Sequence, residues 1–286
     1  MAYEQSAMGI IFDIKEFSVN DGPGVRQTVF FKGCPLRCLW CHNPEGLVME
    51  PQLTVRYGEC LNCGKCTSGC DNEKCVACGK CVKECPLRLR GVCGYEISAE
   101  GLAEILLENA EIYEMMGGGV TFSGGEPLMQ SDFLLDVCGR LPGMNKAVET
   151  SGCASSEIFS DVIASVDLIM LDLKLIDPNI HQRYCGADNV LILENLKILK
   201  SGNTPFIIRV PLIPGVTDSE ANTAAIASLL RDADSLLYVE FLPYNRLAGA
   251  KYSKLGLEYK PDFDIELPLR AVSGAFEKYG IESKIL

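Results

Sequence analysis

The sequence predicts an α/β protein: an open, partial (β/α)6 barrel, interrupted early by a small cysteine-rich insert. Three observations carry that expectation. Short runs rich in Val, Ile, Leu and Phe recur along the chain, as buried parallel strands do. Helical patterns alternate with them across short links, which makes a parallel sheet covered by helices. And 11 of the 15 cysteines crowd into positions 34–85. Six β/α repeats fall short of the eight that close a full barrel.

The strands are expected over 25–32, 119–123, 146–150, 167–172, 206–211 and 237–242, with 9–17 as an additional strand at the edge. The helix over 98–116 opens on Ser98, a residue type that caps helices, and carries apolar residues at three-to-four spacing. Further helices are expected over 132–141, 156–165, 189–200, 218–232 and 261–279. Asp177-Pro178 reads as a helix start, which gives His181 a structural or exposed place rather than a catalytic one.

At 286 residues and 48% hydrophobic, the chain can bury a sizeable core and is not a disordered protein. The net charge of −12 argues against nucleic acid as the main partner. No signal-peptide pattern and no run approaching ~18 apolar residues is present, so a cytoplasmic protein without a membrane span is expected. In that compartment cysteines serve as metal ligands more than as disulfides.

The cysteines form three runs. Cys34, Cys38 and Cys41 have the spacing C-x3-C-x2-C. Cys60, Cys63, Cys66 and Cys70 have C-x2-C-x2-C-x3-C, and Cys75, Cys78, Cys81 and Cys85 repeat it before Pro86. The repeated run is the bacterial ferredoxin pattern, in which the fourth cysteine of each run reaches the other cluster. On that rule Cys60, Cys63, Cys66 and Cys85 hold one 4Fe–4S cluster, and Cys75, Cys78, Cys81 and Cys70 the second. Structural zinc is the plainer alternative. Cys-x-x-Cys-Gly-Lys-Cys occurs twice, so the insert is an internal duplication. The three-cysteine run offers a cubane one ligand too few and leaves an iron open, the mark of a metal site that does chemistry. A distant cysteine or His42 as fourth ligand is the competing reading. Cys93, Cys138, Cys153 and Cys185 are expected to be bystanders, with Cys93 a spare ligand at most.

Catalytic groups of β/α barrels gather at the C-terminal ends of the strands. There the chain carries Ser123-Gly124-Gly125-Glu126-Pro127, Glu149-Thr150-Ser151-Gly152, Asp172-Leu173-Lys174, Arg209 with Pro214-Gly215-Val216, and Leu242-Pro243-Tyr244-Asn245. Each is weak alone; five together, with a cysteine loop after the first strand, are hard to assign to chance.

With these motifs the chain resembles the radical S-adenosylmethionine (SAM) enzymes and, within them, the glycyl radical enzyme activating proteins of the longer class. The resemblance rests on Asp21-Gly22-Pro23-Gly24-Val25-Arg26, the cysteine loop followed by His42-Asn43-Pro44, Gly118-Gly119-Val120-Thr121 leading into SGGEP, Asp172-Leu173-Lys174, and Leu242-Pro243-Tyr244. It covers almost the whole chain and implies a radical SAM core over 1–46 and 96–286, with a ferredoxin-like insert carrying two clusters over 47–95. It implies that Cys34, Cys38 and Cys41 hold the catalytic 4Fe–4S cluster, whose open iron takes the methionine end of SAM. Gly124, Gly125 and Glu126 would meet the amino group of SAM, and Trp40, Asp172, Lys174, Arg209 and Asn245 would lie beside the cofactor. Asn245 stands where shorter relatives have His. Lys174 and Asp21 would lie near the substrate glycine loop. Glu149, Thr150, Met170 and Asp172 match a monovalent cation site of a relative, in which the first position is Asp rather than Glu.

The implied reaction is reductive cleavage of SAM to a 5′-deoxyadenosyl radical that takes hydrogen from a backbone glycine of a partner enzyme. The longer class resembles activators of hydroxyproline, glycerol or propanediol dehydratases, choline and isethionate lyases, hydroxyphenylacetate decarboxylase and benzylsuccinate synthase. A dehydratase of hydroxyproline or glycerol type is the expected partner, the protein itself being a monomer. The insert from 51 to 95 holds seven Lys/Arg and four Asp/Glu, a rim suited to an acidic flavodoxin or ferredoxin as electron donor, or simply charge that offsets the clusters. An iron–sulfur electron carrier would explain the eight repeated cysteines but not the other three or SGGEP. A radical SAM enzyme acting on a small molecule would leave the Asp-Gly-Pro-Gly and His-Asn-Pro motifs without a role.

Overall fold

The computed structural model describes residues 6–67, 70, 75–270 and 272–286. The chain opens with β1 (Met8–Ser18) and β2 (Arg26–Phe31). The cysteine-rich stretch follows, bracketed by β3 (Gln52–Val55) and β4 (Arg90–Cys93) and containing the short helix α1 (Lys80–Glu84). Then come β5 (Tyr95–Ser98), α2 (Ala99–Leu107), α3 (Ala110–Met115), β6 (Gly119–Gly124), α4 (Ser131–Gly139), β7 (Lys146–Thr150), α5 (Ser156–Ser165) and β8 (Leu168–Asp172). The last part holds α6 (Pro178–Cys185), α7 (Val190–Ser201), β9 (Phe206–Leu212), α8 (Glu220–Leu230), β10 (Leu236–Pro243), α9 (Ala248–Lys254), α10 (Gly274–Glu277) and β11 (Ser283–Ile285).

Nine strands form one sheet in the order β11-β10-β9-β8-β7-β6-β2-β1-β5. The six expected strands, β2 and β6 to β10, are parallel neighbours, and β11 adds a short seventh. The sheet is open, as six units require. The 9–17 strand is not at the edge: β1 pairs antiparallel with β2 on one side and with β5 on the other. β3 and β4 pair antiparallel from Gln52–Cys93 to Val55–Arg90, so the two ends of the cysteine-rich stretch lie side by side.

Two other expectations change. The 98–116 helix breaks at Glu108–Asn109 into α2 and α3; Asn competes for backbone hydrogen bonds and interrupts helices. Ser98 caps α2 as expected, accepting from the Gly101 amide at 3.1 Å. Of the 261–279 helix only α10 forms. Pro261 and Pro268 lack amide donors and disfavour helix before them, and the Arg270 amide is taken by the Asp218 carboxylate. Position 271 of that stretch lies outside the described residues, as do Asp71, Glu73 and Lys74 of the charged insert.

Successive strand residues alternate between faces. One set (Val29, Phe31, Val120, Phe122, Val148, Ile169, Leu171, Ile208, Val210, Val239, Phe241) packs under the helices in the main core. The other set lines the barrel interior. Ala147, Leu168, Met170 and Ile207, with Tyr238 against them, close the interior as an apolar floor. Two residues further along these strands stand Glu149, Asp172, Arg209 and Glu240, which puts a charged layer directly above the floor.

Candidate active site

The cysteine loop follows β2 and is held from three sides. On the first, Lys32 is fully buried and its ammonium bonds the Glu45 carbonyl at 2.7 Å and Gln52 Oε1 at 3.1 Å, tying the loop to β3. On the second, Gly125 and Glu126 donate their amides to the carbonyls of Phe31 and Gly33 at 2.8 and 2.7 Å. That approach needs glycine: a Cβ on Gly125 would lie 2.2 Å from the Gly33 carbonyl oxygen, and Gly124 has φ +112°. On the third, α6 presents its C-terminal carbonyls: Arg37 and Leu39 amides bond Cys185 and Tyr184 at 2.7 and 2.9 Å. The helix is set there by Asp177, which accepts from the amides of Asn179 and Ile180, and by Gly186 in the left-handed region at its end.

Within this frame lies a cavity of about 730 Å³, inside the range of cofactor sites. Cys34, Cys38, Cys41 and Trp40 line one wall. Gly124, Gly125, Glu149, Thr150, Asp172, Lys174, Arg209, Asp21 and Asn245 line the rest. Trp40 also anchors the loop in a small apolar cluster with Leu175, Cys185, Ile213 and Val216. Asp21 accepts from the Thr28 hydroxyl at 2.7 Å, and Asn245 stands exposed at the rim. Two predicted residues turn away. Glu126 is fully buried outside the cavity, its carboxylate taken by the hydroxyls of Thr150 and Ser151 and the amides of Ser151 and Leu128. It ties the ends of β6 and β7 together. The Met170 side chain belongs to the floor.

The charges are paired. Arg209 donates to Glu149 at 2.7 Å, to Glu240 at 2.9 Å and to the Asn20 carbonyl at 2.6 Å. Lys174 reaches Asp172 at 2.7 Å. Burial pushes the Glu149 carboxyl up, but Arg209 and the Ser123 hydroxyl outweigh it and hold it below the usual range. Asp172 is raised by burial and by Glu149 despite Lys174. Burial lowers Lys174, and Asp172 more than reverses this. Three residues of the cation motif therefore meet as ion-paired or hydrogen-bonded groups: Glu149 on Arg209, Asp172 on Lys174, Thr150 on Glu126. Burial raises the Cys34 thiol and pushes Cys41 up to about 11.

The donor set fits a cubane: Cys34, Cys38 and Cys41 all line the cavity, and a cluster takes each thiolate on a different iron. The cavity also holds an acceptor in need of a donor: Asp172 Oδ1 is buried without a hydrogen-bond partner. A ribose hydroxyl or an ammonium of SAM would satisfy it.

The eight repeated cysteines lie apart from this cavity. The duplication seen in sequence recurs in the backbone: Asn62 and Ala77 both have positive φ (52° and 49°), followed by Gly64 and Gly79 (73° and 74°). The Asn62 and Ala77 amides point at Cys60 and Cys75 sulfur at 3.4 and 3.5 Å. Of the four expected bystanders, Cys138 is core and Cys93 sits on β4. His181 is buried with its ring on the Ala187 carbonyl, a structural place. Cys185 is buried and packs with Cys38 and Trp40 in the small apolar cluster behind the loop. No sequence spacing links residues so far apart, so only the fold could show it.

The chain matches the Radical SAM superfamily over residues 28–226. It is 37% identical to the choline trimethylamine-lyase activating enzyme of Oleidesulfovibrio alaskensis, over 97% of each chain. It is 34% identical to the trans-4-hydroxy-L-proline dehydratase activating enzyme of Clostridioides difficile, over 96% of this chain and 98% of that one. A solved domain of the pyruvate-formate lyase-activating enzyme of Bacteroides vulgatus superposes with a TM-score of 0.50 at 31% identity, covering 59% of this chain and 99% of its own. Fold and cavity thus define a radical SAM enzyme. Within that superfamily the chain belongs to the glycyl radical enzyme activating enzymes.

Proposed function

We propose that this chain activates a partner glycyl radical enzyme from the cavity between the cysteine loop and the strand ends. The observation that carries the proposal is the meeting of Cys34, Cys38 and Cys41 with the Gly124-Gly125 turn, Asp172, Lys174 and Arg209 around one cavity. When bound, the cluster supplies the electron that cleaves SAM, and the resulting 5′-deoxyadenosyl radical takes hydrogen from a backbone glycine of the partner. The chain's own residues do the rest. Cys34, Cys38 and Cys41 hold the cluster at the wall. The Gly124-Gly125 turn brings backbone close to the SAM amino group. Asp172 offers its free oxygen to a donor of the cofactor, and Lys174 offsets its charge. Arg209 holds the Asp21 loop over the interior through the Asn20 carbonyl. The apolar floor excludes water from below.

The cysteines of the duplicated run hold two further 4Fe–4S clusters in the insert over 47–95, supported by the matched turns at Asn62 and Ala77. These clusters relay electrons from a flavodoxin or ferredoxin, in the cytoplasm, to a monomeric enzyme. The partner is a dehydratase of the hydroxyproline or glycerol type, or another lyase; the relatives above carry both kinds of name. A monovalent cation at Glu149, Thr150, Met170 and Asp172 would have to displace Arg209 or Lys174, so the two cations of the chain take its place. The test is a panel of purified glycyl radical enzymes of dehydratase and lyase type, each incubated anaerobically with reduced enzyme and SAM. A glycyl doublet in the electron paramagnetic resonance (EPR) spectrum of one dehydratase, absent with Cys38→Ala, is the expected result. No doublet in any member, while SAM is cleaved, would overturn the partner class.

A further inference from the structure

The His-Asn-Pro stretch after the cysteine loop is clamped between two lysines from distant parts of the chain. Asn43 opens the turn Pro44–Gly46, yet its side chain makes no capping bond there among the described residues. Its Oδ1 accepts instead from Lys251 of α9 at 2.8 Å. The same ammonium stands 3.9 Å from Glu45 Oε2, a buried oxygen with no hydrogen bond among the described residues. From β2, Lys32 holds the Glu45 carbonyl at 2.7 Å. Gly46 then lies directly on the Gly124-Gly125 turn. A Cβ on Gly46 would come 2.7 Å from the Gly125 amide nitrogen, and one on Gly125 would come 2.4 Å from the Gly46 carbonyl oxygen. The clamp thus joins α9, the end of the cysteine loop and the glycine turn, and residues of all three line the cavity.

The two lysines differ in kind. Lys32 is fully buried and part of the frame. Lys251 has a side chain 42% exposed, on a helix of seven residues. A helix that short has little stability of its own and is ordered by its contacts. Its bond to Asn43 therefore fixes α9 and the turn against each other. We propose that Lys251 is a positioning residue for SAM. By clamping Asn43 and Glu45 it sets the separation between Cys41 and the Gly124-Gly125 turn, the two sides that the methionine end of SAM must span. The side chain of Asn43 serves that clamp rather than a cap, which gives the His-Asn-Pro motif a role that its residue types alone do not reveal. The inference rests on the SAM site proposed above.

The experiment compares variants of the reconstituted enzyme at matched iron content. SAM affinity is read from the EPR signal of the reduced cluster as SAM is added, and KM and kcat from 5′-deoxyadenosine formation. Lys251→Met and Asn43→Leu are each expected to raise the Kd and KM for SAM roughly fivefold, the worth of one hydrogen bond, with kcat unchanged. The double variant is expected to be no worse than either single one, because both remove the same contact. Lys251→Arg keeps a donor and is expected to restore most of the affinity. Lys254→Met, an exposed lysine on the same helix, is the control. Hydrogen exchange without SAM reads the clamp itself. The Gly46 and Leu47 amides, bonded to the Asn43 and Pro44 carbonyls at 3.0 and 3.2 Å, are expected to exchange roughly fivefold faster in Lys251→Met. Unchanged exchange and affinity overturn the proposal, as does an equal change in Lys254→Met. Lost affinity in Lys251→Met with full affinity in Asn43→Leu would make Lys251 a direct SAM ligand and overturn the positioning role. A parent enzyme that binds no SAM overturns the reading of the cavity and this role with it, and the exchange rates tell that failure apart, because they report the clamp with no SAM present.

Discussion

Replacing Arg209 by Met should cost this protein about 3–4 kcal/mol, and the cost should depend on pH. Arg209 is 2% exposed and joins three elements: Glu149 on β7, Glu240 on β10 and the Asn20 carbonyl before β2. Removing one partner of a buried ion pair costs roughly 3–5 kcal/mol, because the remaining charge stays buried without compensation. Here two carboxylates are stranded, but Glu240 keeps Lys284 at 3.1 Å, which argues for the lower part of that range. In the parent, Glu149 is held below the ordinary carboxylate range. Its contribution is therefore present above the unfolded value of about 4.3 and lost as pH falls through the lower folded value. In Arg209→Met the unpaired, buried Glu149 moves above 4.3, so the group costs stability at neutral pH and the cost fades as pH falls. Anaerobic urea unfolding of the metal-free protein at pH 7 and near pH 5 measures both. A loss under 1 kcal/mol at pH 7, or an equal loss at both pH values, would refute the reasoning.

Other perturbations separate the remaining parts of the account. Arg26 is buried against neutral acceptors, namely the Pro23, Val120 and Asn145 carbonyls, the Asn145 side chain and the Thr121 hydroxyl; Arg26→Met should lose about 3 kcal/mol in the same unfolding assay, and Lys should not rescue it because it lacks the planar fork. Gly125→Ala drives a Cβ against the Gly33 carbonyl, so the reconstituted protein should lose one cluster's worth of iron while the insert keeps its own. Timed alkylation of the metal-free protein, read by mass spectrometry, should label exposed Cys63, Cys75 and Cys78 first and leave Cys138 unlabelled. Burial pushes that last thiol up to about 12, and the thiolate is the reactive form.

Much of this molecule is legible in its sequence. Most of the six strands announce themselves as Val, Ile, Leu and Phe runs because one face is core and the other is floor, with the charged layer two residues beyond that floor. That is why a position just beyond the floor brings Glu149, Asp172 and Arg209 to the site. The misses have equally plain causes. β5 and β11 are too short for a periodic signal, and the edge expected for β1 is occupied by β5. The long helix splits at an Asn, and the C-terminal one fails at two prolines. The Glu126 motif gives no hint of the partners of its carboxylate, Thr150 and Ser151, which only the parallel pairing of β6 and β7 supplies. Arg26 and Lys32 look like ordinary charges in the sequence; both are buried struts. Cys185 carries no spacing that could tie it to the cysteine loop, since the contact is made by α6 packing against that loop.

The central claim is that the three-cysteine loop performs radical chemistry on SAM. Its most direct test is anaerobic: reconstitute with iron and sulfide, reduce with dithionite, add SAM alone and quantify 5′-deoxyadenosine against Cys38→Ala. The expected result is product that vanishes in the variant while the iron of the duplicated cysteine run stays in place. No product from the parent, with iron for two clusters rather than three, would contradict the claim and leave an electron carrier.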